Sequence, residues 1–282
     1  MDLAFRILNV FTVPGERLSG NPLCVFEDGR RLAPAQMQAL ARQLNLSETT
    51  FVLPPATAGA AARVRIFTPE LEMPFAGHPT LGTAHVVRAL GRAEDRLVLE
   101  TAAGPVALRA AGDRWTLSAP RAAAVREPEA SPDALAAMLG LPPGSVARAR
   151  WVDTGALQLL VQVQDAAAVR AARPEAAGLA REAGASGGAT AYVFAEIGPE
   201  AVLARCFFTE KGAALEDPAT GSACANLGGW LAAAGTPLPA RREISQGAQV
   251  GRPSLLWLEV DAQGLSHVSG EVVELGRGVI GL

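Results

Sequence analysis

Apolar positions along this chain alternate between helical spacing and a period of two, so helices and strands are interleaved. Met37, Leu40, Ala41 and Leu44 recur at i, i+3, i+4 and i+7 behind Pro34, which predicts a helix over Pro34–Leu44. Residues 79–90 and 221–234 read as helices ending at Gly91 and Gly235. Ser131 is placed to cap a short helix through Leu139, and residues 165–183 read as one or two Ala-rich helices. Strands are predicted at residues 5–11, 24–26, 49–53, 63–67, 146–153, 157–163, 191–195 and 202–208. Two or three more fall in 97–117, broken at Gly104-Pro105 and Gly112-Asp113, and short strands run to the C-terminus. Between 120 and 144 the composition shifts to Ala, Pro and Glu, which marks a boundary between two lobes, 1–124 and 125–282, with some strand exchange allowed.

The two halves share an order. Arg65-Ile66-Phe67-Thr68 precedes Gly77-His78 and a helix to Gly91; Phe207-Phe208-Thr209 precedes Gly221-Ser222 and a helix to Gly235. Glycine to glycine is 14 residues in both. Strand, loop, helix and glycine in the same order indicate two copies of one unit.

Charge and composition narrow the function classes. Net charge is −3, with 24 arginines and the single lysine Lys211, so the basic surplus of a nucleic-acid binder is missing. No apolar run reaches membrane-span length, and the N-terminal stretch, interrupted by Asp2 and Arg6, has no signal-peptide pattern. Cys24, Cys206 and Cys224 are far apart and form no CxxC pair, as expected of reduced thiols in a cytoplasmic protein. Buried small hydrophobes are the simpler reading of Cys206 and Cys224.

The chemistry concentrates at the two glycine-led helix starts. A helix N-terminus carries unpaired N–H groups and partial positive charge, and glycine lets a ligand approach the backbone. Gly77-His78 and Gly221-Ser222 therefore suit a carboxylate or enolate oxygen, or else simply shape tight turns. Glu48 opens an apolar strand, where a carboxyl with a raised pKa can do acid/base work; a solvated strand end is the alternative. Asp217, or Thr220, can equally cap the helix that follows. Other signals carry nothing. Residues 276–281 match GxGxxG with no helix after them, and there is no P-loop, HExxH or GxSxG pattern. No metal-ligand cluster is expected.

Five stretches, in order, resemble the PhzF family. They are Gly20-Asn21-Pro22; Asn45-Leu46-Ser47-Glu48-Thr49; Gly77-His78-Pro79-Thr80-Leu81-Gly82; Glu216-Asp217-Pro218-Ala219-Thr220-Gly221-Ser222-Ala223; and Gln246-Gly247 with Gly251-Arg252-Pro253-Ser254. The resemblance implies an α+β fold of two pseudo-symmetric lobes of the diaminopimelate epimerase type. Each lobe would be a curved mixed sheet wrapped around a central helix, with the active site between them. It also implies a homodimer that uses no cofactor or metal and binds neither nucleic acid nor membrane. In the best-known member a glutamate moves a proton on a dihydro-hydroxyanthranilate.

Carried over by motif, the resemblance makes Glu48, His78 and Asp217 the catalytic residues. It makes Gly77, Gly221 and Ser222 the binders of a small carboxylate-bearing substrate, possible cyclic amino acids among them. The expected function is a cofactor-independent isomerase working by glutamate acid/base catalysis. An amino-acid epimerase or racemase, or a non-catalytic binding protein keeping the fold, are the alternatives. Amino-acid epimerases of this type face two thiols across the substrate; here Ala76 precedes Gly77 and Ser222 follows Gly221, which disfavours a two-thiol racemase.

Overall fold

The computed structural model describes residues 1–184 and 189–282. They divide into two compact units, Met1–Ser118 with Ser269–Leu282, and Ala119–Val268. Both combine a mixed sheet with helices.

The first unit contains β1 (Asp2–Val10), β2 (Asn21–Phe26), α1 (Pro34–Leu44), β3 (Glu48–Leu53), β4 (Ala62–Phe67), β5 (Glu72–Met73), α2 (Gly77–Ala89), β6 (Arg96–Thr101), β7 (Gly104–Ala111) and β8 (Arg114–Ser118). Strands β2 and β3 are parallel, as are β4 and β6, while β1–β2, β3–β4, β4–β5 and β6–β7 are antiparallel. The period of two assigns the faces. Cys24, Phe26, Phe51 and Leu53 join Met37, Leu40 and Ala41 of α1 in one core cluster. The intervening residues look the other way: Thr50 Oγ1 lies 2.8 Å from Thr83 Oγ1 of α2. Helix α2 is buried over most of its length against β1, β2, β3 and β8. It is rich in Gly, Thr and Val, poor helix formers, so burial rather than propensity holds it helical.

The second unit contains β9 (Ala124–Arg126), α3 (Pro132–Met138), β10 (Val146–Asp153), β11 (Leu157–Val163), α4 (Ala166–Ala171), α5 (Ala176–Ala183), β12 (Thr190–Glu196), β13 (Ala201–Glu210), β14 (Ala213–Asp217), α6 (Gly221–Ala233), β15 (Ala240–Gln246) and β16 (Ser254–Val260). A short 3-10 turn, Ala248–Val250, separates β15 from β16. Strands β11 and β12 are parallel, as are β13 and β15; β10–β11, β12–β13, β13–β14 and β15–β16 are antiparallel. Helices α3, α4 and α5 cover one face with Leu135, Val169 and Leu179 over Ala191 and Val193. Helix α6 takes the other face; its Trp230 meets Phe194 edge to face with centroids 5.3 Å apart.

The internal repeat is visible in the pairing. From β1 to β7 the sequence of antiparallel and parallel neighbours is the one found from β10 to β16. Helices α2 and α6 occupy the same place in that order, and Gly91 and Gly235 follow them with φ of +70° and +80°. Ser131 caps α3, accepting from the Ala134 N–H at 3.2 Å. Three details differ from the pattern-based reading. Helix α2 begins at Gly77, ahead of Pro79. The short strands β5 and β14 carry too few residues to show alternation. The expected short C-terminal strands end in one 16-residue strand, β17 (Ser266–Gly281). Its glycines read locally as breaks, but antiparallel pairing with β1, shifted once between Ile7 and Leu8, keeps it continuous.

Candidate active site

In the first unit, Glu48 is the opening residue of β3, two before Thr50, and so points to the α2 face. His78 is the second residue of α2 and is buried. Its Nε2 lies 3.2 Å from Glu48 Oε2. The ring also hydrogen-bonds the backbone of Pro22, which can only be the carbonyl, because proline has no N–H. His78 Nε2 has no hydrogen-bond partner among the described residues, so Nδ1 is the atom that donates to Pro22. Burial pushes the His78 pKa from 6.5 down to about 3, although the Pro22 bond works the other way. The Glu48–His78 contact has the length of an ion pair, yet the ring is neutral at ordinary pH. A neutral ring with its proton on Nδ1 turns an Nε2 lone pair toward the Glu48 carboxyl.

The Gly20-Asn21-Pro22 motif serves this contact. Gly20 has φ +82°, and a Cβ there would lie 2.5 Å from the Val10 carbonyl oxygen. Only glycine lets the chain pass Val10 so closely and bring the Pro22 carbonyl to His78.

In the second unit, Asp217 ends β14 opposite Cys206 of β13, itself opposite Tyr192 of β12. The flanking Ala191, Val193 and Phe207 belong to the core under α3–α5, so Tyr192, Cys206 and Asp217 form a row on the α6 face. Thr220 Oγ1 donates to Asp217 Oδ2 at 2.5 Å. Gln246 Nε2 donates to Thr220 Oγ1 at 3.0 Å and to the Asp217 carbonyl at 2.8 Å. The Gln246 Oε1 accepts from the Thr220 N–H at 3.3 Å. Thr220 occupies the N-cap of α6, but its own side chain makes no cap hydrogen bond; Ala76 likewise leaves α2 without one. The Thr220 hydroxyl is therefore spent on Asp217 rather than on a cap of α6. Gly247 holds this loop. It has φ +80°, and a Cβ would come within 2.4 Å of the Pro218 carbonyl oxygen.

Ser222, half-buried, is the second residue of α6, the place His78 holds in α2. Its Oγ accepts from Gln158 Nε2 at 3.0 Å. Gly77 and Gly221 are the buried first residues of the two helices. All three cysteines are unpaired and buried, and burial pushes their thiols up, Cys24 to about 12, so none is a ready thiolate. Gln246 stands in a motif visible in the sequence, though its support of Asp217 does not. Gln158 and Asn226 carry no sequence signal at all. Two surface concavities, one of about 240 Å³ beside Asp28, Arg30 and Arg92 and one of about 460 Å³ beside Pro199 and Arg241, contain none of these residues.

Among solved structures, a PhzF-family phenazine biosynthesis protein of Bacillus anthracis superposes with TM-score 0.87 at 21% identity, covering 100% of both chains. The fold is thus that of the PhzF proteins. A family model described as phenazine biosynthesis-like protein matches residues 8–279. An uncharacterized isomerase of Pasteurella multocida is 37% identical over 98% of this chain and 93% of its own. The trans-2,3-dihydro-3-hydroxyanthranilate isomerase of Pseudomonas aeruginosa is 37% identical over 92% of this chain and 91% of its own. The chain belongs to the phenazine biosynthesis-like family, and it is an isomerase.

Proposed function

We propose that this isomerase moves a proton within a small carboxylate-bearing molecule by glutamate acid/base catalysis, without a cofactor. The observation that carries the reading is the 3.2 Å contact between Glu48 Oε2 and His78 Nε2, both largely shielded from solvent. Glu48 removes a proton from carbon next to an activating group and returns it elsewhere in the conjugated system. Neutral His78, fixed through Nδ1 by Pro22, offers its Nε2 lone pair to the protonated Glu48 carboxyl and so orients it. Asp217, aligned by Thr220 and Gln246, holds a polar group of the substrate and orients or relays a proton. Ser222, with the backbones of Gly77 and Gly221, holds the carboxylate. A two-thiol epimerase mechanism is disfavoured, because Ala76 and Ser222 stand at the glycine turns and the thiols present are buried and protonated. The same reading takes the protein as a cytoplasmic homodimer.

The test is solvent exchange. The protein is incubated in D2O with trans-2,3-dihydro-3-hydroxyanthranilate and a panel of cyclic amino acids, and deuterium uptake is followed by mass spectrometry. Uptake by the wild-type protein that disappears in Glu48→Gln supports the assignment. Undiminished uptake by Glu48→Gln, or a requirement for added metal, overturns it.

A further inference from the structure

A hydrogen-bond chain in the second unit runs from a backbone amide to the Ser222 hydroxyl, and its direction is fixed. The Thr154 N–H and Thr154 Oγ1 both donate to Asn226 Oδ1, at 2.9 and 2.7 Å. A backbone N–H can only donate, so the atom it meets on Asn226 is the carbonyl oxygen. The Asn226 amino group must then face the other way. It donates to the Ala156 carbonyl at 2.8 Å and to Gln158 Oε1 at 2.8 Å. The Ala156 carbonyl can only accept, which sets the same direction independently. All four hydrogen-bonding capacities of Asn226 are met, and the residue is fully buried. Turning the amide over would set N–H against N–H at Thr154 and oxygen against oxygen at Ala156.

The direction propagates. Because Gln158 Oε1 accepts from Asn226, its Nε2 is the atom facing Ser222, and it donates to Ser222 Oγ at 3.0 Å. The Ser222 hydrogen therefore cannot be spent on Gln158, and no other acceptor for it occurs among the described residues. Gln158 is itself buried at 7% exposure, so water does not readily replace this bond.

We infer that Thr154, Asn226 and Gln158 act as a polarity relay that commits the Ser222 hydroxyl to donating outward, selecting a ligand oxygen that accepts, as a carboxylate does. Gln158 and Asn226 are positioning residues for specificity, acting through Ser222. The inference rests on the proposed role of Ser222 as carboxylate holder and deepens it. The discrimination is the usual one for a fixed donor: a charged acceptor gains the bond, while a group that can only donate leaves a half-buried hydroxyl hydrogen without a partner.

Two measurements separate the relay from the role it serves. Neutron diffraction from crystals of the unliganded protein exchanged into D2O locates the deuterons. Deuterons on Gln158 Nε2 pointing at Ser222 Oγ, with the Ser222 deuteron elsewhere, are expected; a Ser222 deuteron lying on Gln158 overturns the relay. Calorimetry with anthranilate and 2-aminobenzylamine, whose ammonium group can only donate, then reads the selection. The wild-type protein is expected to prefer anthranilate, and Ser222→Ala to weaken it about 10-fold or more. Gln158→Glu supplies an acceptor that captures the Ser222 hydrogen, so it is expected to weaken anthranilate about as much. In the Ser222→Ala background the same change should matter about 3-fold at most. Equal losses in both backgrounds overturn the relay. If Ser222→Ala leaves anthranilate binding unchanged, the role of Ser222 as carboxylate holder fails, while the neutron result still decides the direction of the chain. Should Gln158→Glu not fold, Gln158→Met removes the donor without adding charge. It is expected to narrow the preference for anthranilate over 2-aminobenzylamine; an unchanged preference overturns the relay.

Discussion

The starts of α2 and α6 occupy equivalent places in a repeated sheet topology, and they have been given opposite chemistry. In register, Thr49 stands opposite Phe67 in the first unit and Ala191 opposite Phe207 in the second, both phenylalanines facing the outer core. Counting from those pairs, Glu48 corresponds to Thr190, and Asp217 to Met73. Each copy therefore carries a carboxyl where the other has none. The second helix positions differ as well. His78 is locked against a backbone carbonyl and presents a lone pair, whereas Ser222 is locked against a side-chain amide and presents a hydrogen. Gly82 takes the place in α2 that Asn226 takes in α6, so the amide relay has no counterpart in the first unit. At the second helix position the duplicated scaffold thus has an accepting group in one half and a donating group in the other.

The largest expected effect tests the accepting half. Glu48→Gln should lower turnover by about 10²–10⁴-fold, the usual scale of a general acid/base, with thermal stability kept. A smaller loss in deuterium uptake would shift the catalytic burden to the other unit. Packing gives the next contrast. A Cβ on Gly229 of α6 would lie 2.2 Å from the Ala123 Cβ, while one on Gly82 of α2 would meet the movable end of Leu23 at 2.5 Å. Gly229→Ala should cost about 2–3 kcal/mol and Gly82→Ala about 1 kcal/mol, read from urea midpoints. Reversal of that order would show that the two helices are not held alike.

Acid titration separates the halves again. The folded pKa of His78 is depressed by burial to about 3, against 6.5 when exposed. Below 6.5 the unfolded chain binds a proton that the folded chain refuses. Stability should therefore fall as pH drops across that window, by at most about 1.4 kcal/mol per pH unit from this one group. In His78→Gln the fall between pH 6.5 and pH 4.5 should be about 2 kcal/mol shallower; an unchanged slope would mean the ring is already charged when folded. The smallest effect is expected from the thiols and from metal removal. Cys24→Ser, Cys224→Ala and treatment with a chelator should each leave turnover within about twofold, since buried protonated thiols take no part in the chemistry. A large loss from any of them, measured by the same exchange assay, would bring thiol or metal chemistry into one of the halves.

The sequence alone determined the local order of this protein. Spacing placed α1, β10 and β11 at their observed bounds, because periodicity reports which face of each segment is buried. The repeat was legible in the glycine intervals; His78, Asp217 and Ser222 stood out as candidates beside glycines or prolines, and Glu48 through its motif at the start of an apolar strand. Only the tertiary structure decided how those residues are wired. The contact between Glu48 and His78 joins a strand to a helix, and the support of Asp217 by Gln246 joins the ends of β14 and β15. Gln158 and Asn226 look like ordinary polar residues until folding buries them and removes water as a partner. The physical reason is that periodicity encodes burial one segment at a time. The direction of a hydrogen bond depends on which backbone amide or carbonyl another segment brings alongside, and here Thr154 and Ala156 settle it for a serine 66 residues further on.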